Sequence, residues 1–147
     1  MIHNALKGKK IVLASASPRR KELFKLMGIK CIQVSSDVDE TIMPDDHLNP
    51  RKYVLAQSLK KCKAISAKMD PDCIVVAADT IVYFDKTILG KPVDEEEART
   101  FLYRLSDNTH YVYTGITVHY NNFYYSDVEK TSVTFNKLTE KCVIRSL

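Results

Sequence analysis

Residues 10–28, Lys-Ile-Val-Leu-Ala-Ser-Ala-Ser-Pro-Arg-Arg-Lys-Glu-Leu-Phe-Lys-Leu-Met-Gly, decide how the chain is to be read. The apolar run Lys10 to Ala14 predicts a short strand, Ser15-Ala16-Ser17 a tight turn, and Arg19 to Met27 a helix stopped by Gly28. Ser17 is suited to cap that helix and Pro18 to occupy its first position. Its apolar residues are Leu23, Phe24, Leu26 and Met27. Lys30 to Ser35 alternates through Cys31, Ile32 and Val34 and predicts a second strand, so the chain opens as strand, helix, strand.

Working outward, an acidic loop (Asp37-Val38-Asp39-Glu40) and a Pro44-to-Pro50 loop lead to a long helix. Asn49 caps it, Pro50 begins it, and Val54, Leu55, Ser58, Leu59, Cys62, Ile65 and Met69 form one stripe along it. Asp70-Pro71-Asp72 ends the helix, and Cys73 to Phe84 predicts a long buried strand with one charge inside it, Asp79. Asp94 and Glu97 open another helix with Ala98, Phe101, Leu102 and Leu105 on its inner face. His110 to Phe135, rich in Tyr, Val, Thr and Phe, reads as β-hairpin ribbons turning at Asn121-Asn122. The order implies an α/β fold, a mixed twisted sheet flanked by helices, in a single domain over residues 1–147.

Composition narrows the function classes. With 45% apolar and 27% charged residues, four glycines and five prolines, the 147-residue chain is neither disordered nor low-complexity. Its net charge of +4 comes from 22 basic and 18 acidic residues without a long single-sign block, and basic residues do not interleave with aromatics, which argues against a nucleic-acid partner. A small polyanionic ligand remains compatible with that charge. The longest apolar run, Cys73 to Ala78, is far short of the roughly 20 residues of a membrane span. No signal-type apolar stretch follows the first ten residues, so no membrane partner and a cytoplasmic location are expected. Cys31, Cys62, Cys73 and Cys142 show no Cys-x-x-Cys spacing and read as reduced, mostly buried apolar residues.

Five places carry chemistry. Arg19 and Arg20 stand in the first turn of a helix, where cations oppose the helix dipole by roughly 0.3–1 kcal/mol each. A bound phosphate would reverse that sign, because free N–H groups and guanidinium groups both point at it; two solvated arginines are the plain alternative. Asp79, inside an apolar strand, must be paired, bound to a metal, or placed at a strand end facing a crevice. Lys91 is fixed between Gly90 and Pro92 at the end of a hairpin. At 100° per residue, Lys61 lies roughly 80° from the centre of its helix's apolar stripe, at the core margin, whereas Lys60 faces away. Glu40 ends the acidic loop.

Leu-Ala-Ser-Ala-Ser-Pro-Arg-Arg at 13–20, Asp-Val-Asp-Glu at 37–40, Ala-Asp-Thr at 78–80, Leu-Gly-Lys-Pro at 89–92 and the stretch from Leu105-Ser106 to Thr114-Gly115 stand in an order that resembles the Maf family of nucleoside triphosphate pyrophosphatases. The resemblance spans residues 11–135. It implies the Maf/ITPase-like fold and hydrolysis of a nucleoside triphosphate substrate to monophosphate and pyrophosphate with Mg²⁺ or Mn²⁺. Carried onto this chain, Ser15, Arg19, Arg20 and Lys61 would hold phosphates. Glu40 and Asp79 would position the metal and the attacking water, Lys91 would stabilise developing charge, and Thr80 would lie beside the base or sugar. Arginine directly after Pro18 is similar to the branch acting on dTTP, UTP and modified pyrimidine nucleotides. A homodimer is compatible with the resemblance. The family continues past the helix begun at Leu138 to Leu147 with a further helix, a Gly-Ala-Tyr-Gly-Ile-Gln-Gly-like segment and closing strands. This chain is therefore expected to lack the C-terminal part of the fold, to leave a sheet edge unpaired and to self-associate. The alternative function is a catalytically impaired nucleotide-binding or regulatory protein of the same fold.

Overall fold

A computed structural model describes residues 6–147. The strands are β1 (Ile11–Leu13), β2 (Ile32–Gln33), β3 (Ile74–Phe84), β4 (Thr87–Leu89), β5 (Thr109–Tyr120) and β6 (Phe123–Thr134). The helices are α1 (Pro18–Leu26), α2 (Pro50–Ser66), α3 (Glu95–Leu105) and α4 (Glu140–Ser146), and a 3₁₀ turn spans Pro44–Leu48. This is the mixed α/β architecture expected from the sequence.

Local chemistry sets the element boundaries. Ser17, Asn49, Asp94 and Thr139 each accept a backbone N–H from the first turn of the helix that follows. Asn121 and Asn122 take positive φ angles of 50° and 65°, the conformation a two-residue turn between β5 and β6 requires. The β3–β4 turn does the same at Asp85 and Lys86.

The six strands form one sheet in the order β2-β1-β3-β5-β6, with β4 also paired to β3. β1 runs parallel to both β2 and β3, whereas the β3–β4, β3–β5 and β5–β6 pairs are antiparallel. β5 accompanies β3 from Val75 to Tyr83. A strand has two edges, so β1 and β4 must share the other: β1 pairs with Ile74 to Val76 and β4 with Val82 to Phe84. Between them the β3 edge from Ala77 to Ile81 has no strand of the described residues beside it. Asp79 is at the centre of that gap.

α2 packs across β3 and β5 and buries Tyr53, Val54, Gln57, Ser58, Cys62 and Ile65. The buried centre is therefore rotated from the stripe read in the sequence: Leu55, Leu59 and Met69 lie at its margin, and the helix ends at Ser66. Two apolar clusters result. One joins Val12, Ala14, Cys62, Ile65, Cys73, Val75 and Ala77; the other joins Tyr53, Val54, Ile81, Ile88 and Tyr113. Between them a hydroxyl relay links Ser58 to Thr117 (2.8 Å) and Thr117 to Ser126 (2.7 Å). His110 packs edge-on to Phe135 at 4.8 Å, and burial pushes its pKa down, favouring the neutral ring.

Burial corrects the sequence reading at three points. α1 does not bury an apolar face: Leu23, Leu26 and Met27 are exposed, and no residue of the helix is buried. The strands beside it are only three and two residues long, which leaves little sheet for it to cover. On α3 only Leu105 is fully buried, with Ala98, Phe101 and Leu102 half-buried. All four cysteines are free, but only Cys62 and Cys73 are buried; Cys142 is exposed. No helix of the described residues is long and apolar enough to cross a membrane.

Gly115 faces α2 beside Asp79, and a Cβ there would sit 2.3 Å from the Val54 carbonyl oxygen. Backbone cannot yield as a side-chain tip can. Gly115→Ala should therefore destabilise the fold by about 1–3 kcal/mol or more by lifting α2 from the sheet, read as a lower unfolding midpoint in denaturant; a midpoint equal to wild type would refute this close approach.

Candidate functional site

The gap in the β3 edge opens into a cavity of about 480 Å³, lined by the β1–α1 turn, Ser35 and Ser36 after β2, and Glu40, Lys61, Asp79, Thr80 and Lys91. Such a crevice, where neighbouring strands diverge from a central one, is where open α/β sheets place ligands.

At its floor, the Lys61 ammonium contacts Glu40 Oε1 at 2.5 Å and Asp79 Oδ1 at 2.8 Å. Side chains on a helix lean toward its N-terminus, so Lys61, one turn past buried Gln57, reaches back over β3 to Asp79. The Lys61 and Asp79 side chains are both 11% exposed, whereas Glu40 is 40% exposed. The Glu40 carboxyl is held below its ordinary pKa of 4.5, first by its hydrogen bond to Lys61, against the opposing effect of burial. Asp79 Oδ2 is buried and has no hydrogen-bond partner among the described residues. A buried carboxylate acceptor of this kind calls for a ligand, water or ion.

Arg20 closes the other side. Its guanidinium donates to Ser15 Oγ (3.2 Å), to the Ala78 carbonyl oxygen (3.0 Å) and to Thr80 Oγ1 (3.2 Å). It thereby satisfies a carbonyl group on the unpaired part of β3. Burial pulls its pKa below the usual value, while Asp79 and Glu40 oppose that shift. Ser15 Oγ also accepts the Ser17 backbone N–H at 3.1 Å, which fixes the turn before α1. Lys91 stands at the mouth, 92% exposed, with its ammonium 3.9 Å from Glu40 Oε2.

Ser15, Arg20, Glu40, Lys61, Asp79, Thr80 and Lys91 are thus brought to one cavity. Arg19 is not among its lining and is exposed on α1. Adjacent helical residues point about 100° apart, so only one of two successive arginines can turn into the crevice. Sequence reasoning missed Tyr53, whose hydroxyl donates to the Glu40 carbonyl oxygen at 2.9 Å, and Thr114, whose hydroxyl lies 2.9 Å from that of Thr80. Burial pushes the Tyr53 pKa up to about 12, so it is a neutral donor there. Its position one residue before Val54 on the inner stripe was the available signal. Thr114 had none, because its neighbour is set by strand register.

Among the described residues, no group of three or more His, Cys, Asp or Glu side chains converges on a metal position. Glu40 and Asp79 form a two-carboxylate set, and the orphaned Asp79 Oδ2 fits a hard cation that takes its remaining ligands from water and a phosphate.

A family model described as Maf-like protein matches residues 10–146. A dTTP/UTP pyrophosphatase of Bacillus cereus is 45% identical over 133 residues, covering 90% of this chain and 64% of that protein. A second Bacillus cereus protein of the same name is 45% identical with 68% of its length covered. One from Bacillus thuringiensis is 44% identical, also with 68% covered. The chain thus spans about two thirds of the length of these relatives. Among solved structures, protein VC0702 from Vibrio cholerae superposes on 94% of this chain and 68% of that one with a TM-score of 0.47 and 8% identity, a likeness too low to bear on the fold.

Because its pKa is depressed in the fold, the contribution of Glu40 to stability is complete above about pH 4.5 and is lost as pH falls through the depressed value. Replacing Lys61 by Met should raise the Glu40 midpoint toward 4.5 in a carboxyl NMR titration. It should also destabilise the fold by about 3–5 kcal/mol, since Asp79 is left buried and unpaired. An unmoved Glu40 midpoint would show that Lys61 is not the group holding it.

Proposed function

Since the chain belongs to the Maf-like protein family, we propose that it hydrolyses a nucleoside triphosphate, dTTP or UTP, to the monophosphate and pyrophosphate. The observation that carries this reading is the pairing of Asp79, with its free buried oxygen, to Glu40 through Lys61 beside an arginine-lined cavity. The names of the similar Bacillus proteins support the choice of nucleotide.

Splitting a triphosphate requires neutralisation of about four negative charges and in-line attack by water, so positioning and electrostatics supply most of the catalysis. The cavity presents three cations, Arg20, Lys61 and Lys91, against two carboxylates. Arg20 and the hydroxyl of Ser15 bind phosphate oxygens, together with N–H groups at the start of α1. Lys61 has three N–H donors, two of them engaged by Glu40 and Asp79, and the third is left for a phosphate oxygen. The Asp79 carboxylate orients the attacking water toward phosphorus. Lys91, exposed at the mouth, moves onto the charge that develops on the leaving group. Glu40 and Asp79 would hold Mg²⁺ or Mn²⁺, which would supply charge neutralisation and a more acidic water. A cytoplasmic location, where nucleotides and reduced thiols coexist, belongs to the same proposal and is supported by four unpaired cysteines.

Pyrophosphate release from dTTP and UTP tests the reading. Asp79→Asn keeps the shape and removes the charge, and should lower turnover by about a hundredfold or more. Arg20→Ala should weaken triphosphate binding in calorimetry by about 1.5–3 kcal/mol. Turnover by Asp79→Asn equal to wild type would overturn the assignment.

A further inference from the structure

Residues 40–47 and residues 88–91 run past each other in opposite directions, and three contacts join them. At the mouth of the site, Lys91 Nζ lies 3.9 Å from Glu40 Oε2. Next inward, a Cβ on Gly90 would come within 3.0 Å of Ile42 Cδ1, so the Ile42 side chain rests against the Gly90 backbone. Furthest from the mouth, the backbone N–H of Ile88 donates to Nδ1 of His47 at 2.9 Å. Strand geometry accounts for that bond. Asp85 and Lys86 form a two-residue turn closed by Phe84 and Thr87, which makes Tyr83 and Ile88 the next pair. Bonded and non-bonded pairs alternate along an antiparallel ladder, so the Ile88 N–H points away from β3. Ile88 is buried in the cluster that also holds Tyr53, Val54, Ile81 and Tyr113, where an N–H without an acceptor is costly. His47 supplies the acceptor. Its own carbonyl oxygen accepts the Tyr83 hydroxyl at 2.8 Å, and the Asp46 carboxylate ties down the start of the same turn by accepting the Met43 N–H at 2.7 Å. One residue of the 3₁₀ turn is thus held by both β3 and β4.

We propose that His47 is a positioning residue for the reaction: through Nδ1 it fixes residues 88–91 against residues 40–47, and so sets where the Lys91 ammonium stands relative to Glu40. This rests on the proposed function, in which Lys91 meets the charge that develops on the leaving group, and adds what places Lys91. The Lys91 side chain is 92% exposed, and an exposed ion pair at 3.9 Å contributes too little to hold two backbones together. The directed bond at Ile88 can do so. Lys91 follows Ile88 by three residues, and Pro92 restricts its backbone, so the constraint at Ile88 is carried to the lysine. Nδ1 accepts when the ring carries its proton on Nε2. Asparagine can place an amide oxygen where Nδ1 stands, whereas leucine fills the space and accepts nothing.

The test uses the 147-residue chain and two readouts. Exchange of the Ile88 amide hydrogen should quicken about tenfold or more in His47→Leu and stay within about threefold of wild type in His47→Asn. With dTTP, His47→Leu should lower kcat about fivefold or more while KM stays within about twofold, and His47→Asn should restore at least about half of the wild-type kcat. In a Lys91→Ala background the His47→Leu change should cost less than about twofold further, because its effect passes through Lys91. Tyr83→Phe frees the His47 carbonyl oxygen and leaves the ring in place; it should show the same pattern with a smaller loss, and it replaces His47→Leu if that variant does not fold. An Ile88 amide unmoved by His47→Leu, a kcat loss that His47→Asn does not rescue, or a full loss that persists without Lys91 would each overturn the inference while leaving the proposed function standing. A wild-type chain that releases no pyrophosphate would overturn the proposed function, and the inference with it.

Discussion

One ammonium group, Lys61 Nζ, ties three parts of the chain together: α2, the β3 strand through Asp79, and the loop after β2 through Glu40. A carboxylate in the middle of an apolar strand is costly to bury alone, and its pairing with Lys61 makes the rest of the site feasible. Asp79 lies between Ala77 and Ile81, which belong to the two separate apolar clusters under α2. The Lys61–Asp79 pair is thus clamped between two packed regions. Gly115, in register with Asp79, lets α2 come close enough for Lys61 to reach it.

The second constraint is topological. Because β1 and β4 occupy the two ends of the same β3 edge, the stretch between them offers backbone groups to no strand. Arg20 takes the Ala78 carbonyl there, so one guanidinium both completes the sheet edge and lines the cavity. Arg20 is already oriented by Ser15, Ala78 and Thr80, so the phosphate proposed for it would require less ordering on binding.

Local signals were legible in the sequence. Ser17, Asn49 and Asp94 cap the helices they were read to cap, and Asn121-Asn122 turns the long hairpin, because each depends on a few neighbouring residues. The angular position of Lys61 on α2 pointed correctly to a buried margin. Pairings distant in sequence were not legible. The shared β3 edge, the contact of Thr114 with Thr80, and the choice of Arg20 over Arg19 for the crevice all depend on how elements meet. The exposure of Leu23, Leu26 and Met27 was missed for the same reason: an apolar stripe shows which face could be buried, and the length of the adjoining strands decides whether it is.

The central claim of the proposed function is that the cavity around Glu40, Lys61 and Asp79 splits a nucleoside triphosphate between α and β phosphorus. Phosphorus NMR of the products formed from dTTP by the wild-type chain examines it most directly. The account predicts equal amounts of the monophosphate and pyrophosphate as the first products. Release of orthophosphate with accumulation of the diphosphate would place the cleaved bond between β and γ phosphorus and contradict it.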